Sequence, residues 1–403
     1  MTSIREELTG KRILVTGAAG FIGSRLVKEL LKNEAVVVGV VDVKANLSRL
    51  SAVLNDPRLH LVHSSLTHVD YLADHVLRWG NIDLLAHLGL FVPRNQSYPE
   101  QAINEIRMNL APTLYLTRIL GDSPKGICFA SSLSVYGRQT ELPVRETTQP
   151  LPVSAYGVTK LAIESYLRAY GEANQIPVTI LRYATVYGPG EFGYRAIPNF
   201  LNSIAEGNQP RVYGDGMEKR DYVYIDDVVD ATVRALATRP SGVFNIGSGQ
   251  SYTSMEIARE VLRLYPSDIE PVMVAKDQPN MDLIGDISAA KEILDYAPQT
   301  NLEDGLKQEI EWFKQQDIPL AHEAGKKEPE ISEKQGVFRS IFSYRFWSGI
   351  CNRILSFLAL AVLSPLLLLI AIGIKLDSRE SPIFAQERVG KDGTKFTAYK
   401  FRS

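Results

Sequence analysis

The sequence predicts an α/β chain in which a doubly wound parallel sheet carries a smaller C-terminal lobe, followed by a linker and a membrane-embedded helical hairpin. Three observations predict it. Short apolar strands alternate with longer helical stretches from Lys11 to about Val178, the rhythm of a parallel sheet covered on both faces. The first strand runs directly into three glycines at three-residue spacing. Near the other end, residues 354–374 carry no charge and are dominated by Leu, Ile, Ala and Val.

Ile13 to Val15 form a short apolar, partly β-branched run, a buried strand. Gly17, Gly20 and Gly23 follow, and Ser24 to Lys32 reads as a helix. A tight strand-to-helix turn needs glycine, and so does close approach of backbone to a pyrophosphate. The helix N-terminus then offers unpaired amides and a partial positive charge to the phosphates. A second strand, Ala35 to Val41, ends in Asp42. An acid placed roughly 20 residues past the glycines accepts hydrogen bonds from a ribose 2′-hydroxyl and repels a 2′-phosphate. NAD is therefore favoured over NADP, with Lys44 close enough to weaken the distinction. Together these features make the sheet Rossmann-type.

Further strands are expected at Leu59–His63, Leu84–Leu88, Gly126–Ala130 and Val178–Arg182, with helices at Asp70–Trp79, Ile103–Leu120 and Ala155–Asn174. From Ala184 the rhythm breaks into shorter pieces with Gly and Pro, read as the smaller lobe over the strand ends. The expected divisions are 1–183 for the dinucleotide-binding domain and 184–315 for a substrate-binding lobe interleaved with it. A flexible linker at 316–340 and a membrane-associated segment at 341–403 follow.

Tyr156 and Lys160 lie four apart in Ser154-Ala-Tyr-Gly-Val-Thr-Lys160, so a helix puts both on one face. Tyrosine ordinarily titrates near ~10. A neighbouring ammonium stabilises the phenolate and lets the pair move a proton near neutral pH. The spacing alone is common; its place downstream of the glycine turn gives it meaning. Ser131 and Ser132 directly follow a buried strand and so sit at the ligand edge, where a hydroxyl can share a substrate proton with Tyr156.

Bulk composition excludes other classes. The 403 residues carry a net charge of −2 with both signs interspersed, so no nucleic-acid footprint exists. Cys128 and Cys351 are far apart and fit a reduced compartment. The six histidines show no metal-ligand spacing, and no metal is expected. No N-terminal signal peptide is read.

The motifs resemble the extended short-chain dehydrogenase/reductase family, in its nucleotide-sugar epimerase and dehydratase branch, over residues 10–315. They are Gly17…Gly20…Gly23, Asp83-Leu-Leu-Ala-His-Leu88, Ser131-Ser132…Val135-Tyr136-Gly137, Tyr156…Lys160, Leu181-Arg-Tyr183, Tyr187-Gly-Pro189 and Gly214-Asp-Gly…Arg220-Asp-Tyr-Val-Tyr…Asp226-Asp227. The resemblance implies Ser132, Tyr156 and Lys160 as the catalytic residues. It implies a cofactor set of Gly17, Gly20, Phe21, Ile22, Gly23, Asp42, Leu66, Leu88, Tyr156, Lys160 and Tyr183. The implied substrate set is Ser132, Thr185, Arg195, Arg220 and Lys276, with Arg220 on the nucleotide diphosphate, since its fork suits phosphate.

The chain departs from the family at three places. Ser64-Ser65 stands where Gly-Asp is usual, His87-Leu-Gly-Leu90 replaces His-Leu-Ala-Ala, and Thr185 stands where an asparagine often follows Leu-Arg-Tyr. The implied chemistry is hydride transfer at a sugar C4 through a 4-keto sugar. A 4-epimerase returns the hydride; a 4-keto-6-deoxy-sugar reductase takes it from external NADH. Relatives that eliminate water usually place acidic residues just after the catalytic serine or threonine, and here Leu133 and Ser134 follow Ser132. A non-catalytic NAD-sensing or scaffold protein is the alternative from another class, and the intact proton-transfer set argues against it.

Residues 354–374 are long enough to cross a bilayer core. Ser364-Pro365 falls in the middle, where proline kinks a helix. Arg345 and Arg353 before, with Lys375 and Arg379 after, give no preferred direction. A hairpin that returns to the cytosolic face satisfies both facts, and a tilted, kinked span is the alternative. The segment resembles the start of the bacterial polyprenyl-phosphate sugar-1-phosphate transferases. The shared residues are Arg353, Ser364-Pro365, Lys375-Leu-Asp377-Ser378, Pro382-Ile-Phe384, Gln386-Glu-Arg388-Val-Gly390 and Lys400-Phe-Arg402. In that family a catalytic Asp-Glu pair follows the Lys-Phe-Arg motif, and Ser403 stands before it, so no catalytic residue is assigned here. Expected partners are a UDP-sugar, a membrane lipid such as polyprenyl phosphate, and a second copy in a homodimer. The expected location is the cytoplasmic face of a bacterial inner membrane.

Overall fold

The structure, a computed structural model, describes residues 3–90, 98–191, 195–265, 267–276 and 278–316. Beyond these it describes 364–365, 371–372, 374–376, 383–389 and 395–401. The chain divides into two units, Met1–Gly325 and Lys326–Ser403.

The first unit is built on seven parallel strands. Six run in chain order: β1 Arg12–Thr16, β2 Val36–Val41, β3 Leu59–His63, β4 Leu84–His87, β5 Ile127–Ser132 and β6 Val178–Tyr183. β7 is Thr185–Tyr187, β8 Arg211–Tyr213, β9 Lys219–Tyr224, β10 Gly242–Ile246, β11 Ser251–Thr253 and β12 Val272–Val274. The sheet order is β10-β6-β5-β4-β1-β2-β3. β2 reads Val-Val-Val-Gly-Val-Val and is buried along almost its whole length, as a strand covered on both faces must be. The chain leaves β1 toward β2 and later returns to its other side with β4. That reversal opens a crevice at the carboxyl ends of β1 and β4, where ligands bind in such sheets.

The smaller lobe is not a separate stretch of chain. β7, β9 and β11 form their own three-stranded sheet, β8 pairs with β12, and β10 goes back to extend the main sheet beside β6. One apolar core runs through both, from Ile13 and Val15 to Tyr222, Ile257 and Leu306.

Two helices differ from the sequence reading for local reasons. The first crossover helix begins at Phe21 rather than Ser24, with Gly23 inside its first turn. The stretch read as one helix from Ile103 is three pieces: Tyr98–Glu105, a π-helical segment Ile106–Leu110, and Ala111–Leu120. Pro112 stands at the start of the last piece. Without an N–H it cannot continue the regular ladder, and a π segment absorbs the break.

The expected linker from residue 317 and most of 354–374 lie outside the described residues. Ser364-Pro365, Ala371-Ile372 and Ile374–Leu376 are helical. Among the described residues no helix is long and apolar enough to cross a membrane. In the second unit, Ile383–Val389 pairs antiparallel with Lys395–Phe401.

Candidate active site

A cleft of about 500 Å³ opens at the carboxyl ends of β1, β4, β5 and β6, within the range of small-molecule and cofactor sites. Its floor is the glycine turn. Gly17 has φ +70°, and a Cβ there would lie 2.7 Å from the Gly89 Cα. A Cβ on Gly23 would lie 2.1 Å from the Gly17 carbonyl oxygen, so the third glycine lets the helix start pack onto the turn. Gly20 is the N-cap and supplies no side-chain cap. The positive end of the helix therefore faces the cleft, where Phe21, Ile22 and Gly23 line the wall.

The turn is stitched to β4 by a buried histidine that the sequence reading placed only in a motif. His87 Nδ1 is 2.8 Å from Thr16 Oγ1, and His87 Nε2 is 2.9 Å from Thr113 Oγ1. Thr113 donates its hydroxyl proton to the Asn109 carbonyl, so it accepts from Nε2–H. Thr16 then donates to Nδ1 while its oxygen accepts the Gly89 amide at 2.8 Å. Burial holds His87 down at about 3, so the ring is a neutral spacer and not an acid. A Cβ on Gly89 would lie 2.7 Å from Gly17 N. The departure at His87-Leu-Gly-Leu90 therefore has a steric reason: here the two turns touch through backbone.

Tyr156 and Lys160 stand on the helix Ala155–Asn174, which Ser154 caps by accepting the Gly157 amide. A Cβ on Gly157 would come within 2.7 Å of the Ser134 carbonyl oxygen. That close approach brings Tyr156 beside the short turn following β5. Lys160 is 4% exposed. Its Nζ lies 5.5 Å from the Tyr156 ring centroid and 5.0 Å from that of Phe129, and donates to the Ala130 carbonyl. Burial pushes the ammonium down to about 7, opposed by Glu164 and Glu105.

The two serines at the end of β5 have different duties. Ser131 donates to Glu164, which is also held by Arg182 through Nε at 3.1 Å and Nη2 at 2.6 Å. Ser132 accepts the Ser134 amide at 3.2 Å and retains a hydroxyl donor. Both line the cleft, with Leu88, Tyr183, Thr185, Arg195 and Arg220.

Three of the expected site residues stand outside these walls. Asp42 is exposed at the end of β2, its carboxylate accepting the Lys44 amide at 3.0 Å. Leu66 packs against the apolar cluster on the other face of the sheet. Lys276 pairs with Glu218, whose other oxygen takes Arg220 at 2.5 Å. Burial works to raise Glu218, and Lys276 and Arg220 outweigh it. Glu218 lies two residues before Arg220, immediately ahead of β9, yet no motif marked it. Met281 and Leu283, also cleft residues, carry no sequence signal. Among the described residues no cluster of metal-ligating side chains exists.

Residues 13–247 match the NAD dependent epimerase/dehydratase family, and residues 343–403 match the bacterial sugar transferase family. A UDP-glucose 4-epimerase of Mycolicibacterium smegmatis is 30% identical over 321 residues, covering 75% of this chain and 98% of its own. A trifunctional UDP-glucose 4,6-dehydratase/UDP-4-keto-6-deoxy-D-glucose 3,5-epimerase/UDP-4-keto-L-rhamnose-reductase of Arabidopsis thaliana is 29% identical over 323 residues, 76% of this chain. The chain spans about half the length of that relative, 47%. Among solved structures, UDP-glucuronic acid 4-epimerase from Bacillus cereus, in complex with UDP-glucuronic acid and NAD, superposes with a TM-score of 0.69 at 31% identity. It covers 75% of this chain and 99% of that one.

Proposed function

The chain belongs to the NAD dependent epimerase/dehydratase family, and on that premise we propose that it interconverts the C4 epimers of a UDP-sugar through a 4-keto sugar. It is an NAD-dependent nucleotide-sugar enzyme; the finer assignment rests on the cleft walls. Among the described residues lining the cleft, none is Asp, Glu or His. Eliminating water from a sugar requires a proton taken from carbon and a hydroxyl protonated as it leaves, work suited to carboxyl groups. Hydride transfer at C4 requires a single acid/base. Tyr156, backed by Lys160, is that group, and this one observation carries the reading.

NAD, when bound, supplies a hydride acceptor that gives the hydride back. Gly17, Gly20, Phe21, Ile22 and Gly23 would hold its pyrophosphate, and Lys160 its nicotinamide ribose. The glycine contacts fit that task, because a Cβ at Gly17 or Gly23 would collide with backbone of the turn and its neighbour and force the turn open. Tyr156 takes the C4 hydroxyl proton and returns it. Ser132 orients that hydroxyl by hydrogen bonding, and Lys160 favours the phenolate by its charge. Arg220 meets the diphosphate, and Thr185 and Arg195 face the sugar.

The full chain, incubated with UDP-glucose, UDP-N-acetylglucosamine or UDP-glucuronic acid and no added reductant, should interconvert C4 epimers, read by chromatography or NMR. NADH consumption with a UDP-4-keto-6-deoxy sugar, and no epimerisation, would replace this reading with a reductase. NAD binding without turnover of any nucleotide sugar would replace it with a sensor.

The second unit extends the proposal. Its match to bacterial sugar transferases and the uncharged stretch 354–374 support attachment at the cytoplasmic face of a membrane, as a hairpin bent at Ser364-Pro365. Tethering there would raise the local concentration of epimerised sugar for transfer to a lipid phosphate. Cysteines placed before residue 353 and after 376 should be labelled from the same side. Labelling from opposite sides would mean a span.

A further inference from the structure

Behind the cleft wall, two glutamates from distant parts of the chain are buried together. Glu191 follows the Tyr187-Gly-Pro-Gly turn and is 2% exposed; Glu309 lies in the helix Leu302–Lys314 and is 0% exposed. Glu191 Oε2 and both Glu309 carboxyl oxygens are sealed from water with no hydrogen-bond donor on them, and each carboxyl acts on the other. Arg195 Nε is 2.7 Å from Glu191 Oε1, and Arg195 itself lines the cleft. Among the described residues, the other titratable groups around the pair are Tyr187 from β7 and Tyr222 and Tyr224 from β9.

One guanidinium cannot neutralise two carboxylates, and two like charges sealed from water do not both stay ionised. One of the pair must keep a proton. Arg195 contacts Glu191, so the charge belongs on Glu191 and the proton on Glu309, which donates it to Glu191. Glu191 is then held from two sides, and its position fixes the guanidinium that enters the cleft. Burial and the facing carboxylate both push Glu309 well above the usual carboxylate range.

We propose that Glu191 and Glu309 form a proton-sharing carboxyl pair that fixes Arg195 in the wall of the cleft. Both glutamates are thus positioning residues for the nucleotide sugar. This rests on the reading of the cleft as the nucleotide-sugar site. Neither glutamate is among the described residues that line the cleft.

The test uses the full chain and has a spectroscopic and a kinetic arm. An infrared band of protonated carboxyl should persist in the wild type above about pH 6, where an ordinary glutamate has ionised, and should weaken in Glu309→Gln. No such band in the wild type overturns the pair whether or not any substitution folds, and a band unchanged in folded Glu309→Gln overturns it as well. In kinetics, Glu309→Gln keeps an N–H donor toward Glu191, so KM should stay within about threefold. Glu309→Ala and Glu191→Gln should raise KM about tenfold, with kcat within about threefold, because ground-state positioning is what they remove. Unchanged KM in both overturns the positioning role. Arg195→Ala separates the two readings. If it leaves KM unchanged while the band behaves as expected, the sugar-side assignment of Arg195 fails and the carboxyl pair stands.

Discussion

Lys160 Nζ lies 5.5 Å from the centre of the Tyr156 ring, one helical turn further along the same helix. It is anchored by the Ala130 carbonyl inside β5, two residues before the strand ends. Ring and ammonium are therefore placed by two elements at once, a helix face and a strand. The geometry gives Tyr156 a cation that cannot swing away.

Tyr156→Phe keeps the ring and its packing and removes only the hydroxyl. Turnover should fall by about 10²–10⁴, the usual size of a positioned acid/base. NAD affinity, read by protein fluorescence, should change little. Turnover within tenfold of wild type would remove Tyr156 from the acid/base role.

Gly23→Ala tests the cradle. The new Cβ would start 2.1 Å from the Gly17 carbonyl oxygen, and neither backbone can yield without opening the turn. Bound NAD should be lost from the purified protein, while the apo fold, followed by circular dichroism, persists. Retained NAD at wild-type occupancy would show that the close packing of turn and helix is dispensable.

How far the sequence revealed these relationships depended on their range. The helix Ala155–Asn174 was legible to the residue because both ends are local: Ser154 caps one, and Gln175 takes the left-handed conformation at the other. β2 was legible because burial on both faces forces an unbroken apolar run. The helix start at Phe21 was not, since its first turn contains Gly23, a residue that normally disfavours a helix and is tolerated for its contact with Gly17. The π segment at Ile106–Leu110 hid inside an apolar period that a continuous helix would share. Of the cleft, the residues at strand ends could be read because topology alone puts them there. His87, Glu218 and the Glu191–Glu309 pair could not, because their meaning lies in partners that the fold brings together. For Glu309 the partner is more than a hundred residues away.

Lys160 also sets a pH dependence of stability. Its folded-state value of about 7 lies below that of an ordinary lysine, near ~10.4. Between these two values the unfolded chain binds one proton more than the native one, so this group makes stability rise with pH across that window. Below pH 7 both states are protonated, and the cost of the buried charge is fully felt. Lys160→Met should abolish this contribution, whose slope is at most about 1.4 kcal/mol per pH unit. Urea unfolding at a series of pH values would show it. Identical slopes in variant and wild type would mean that the buried ammonium is stabilised by something other than the groups seen around it.

Arg182 and Glu164 form the strongest test of what lies beneath the site. Nη2 and Oε2 are 2.6 Å apart, with side chains 4% and 2% exposed. Glu164 also accepts a hydrogen bond from the Ser131 hydroxyl, and the Arg182 guanidinium lies 4.7 Å from the Tyr136 ring centroid. Removing one partner leaves an unpaired buried charge, so Arg182→Met and Glu164→Gln should each cost about 3–5 kcal/mol. The double variant should cost less than the sum, because neither charge is then stranded. Additive losses in urea unfolding would show that the two residues act separately. Glu164 has a second duty, since it stands one turn after Lys160 and opposes the effect of burial on that ammonium. Glu164→Gln should therefore let Lys160 lose its proton at lower pH. The range over which a charged Lys160 assists Tyr156 then moves toward acid, and the alkaline limb of the kcat profile moves with it. A loss of stability without that movement would confine Glu164 to holding β5 and β6 together.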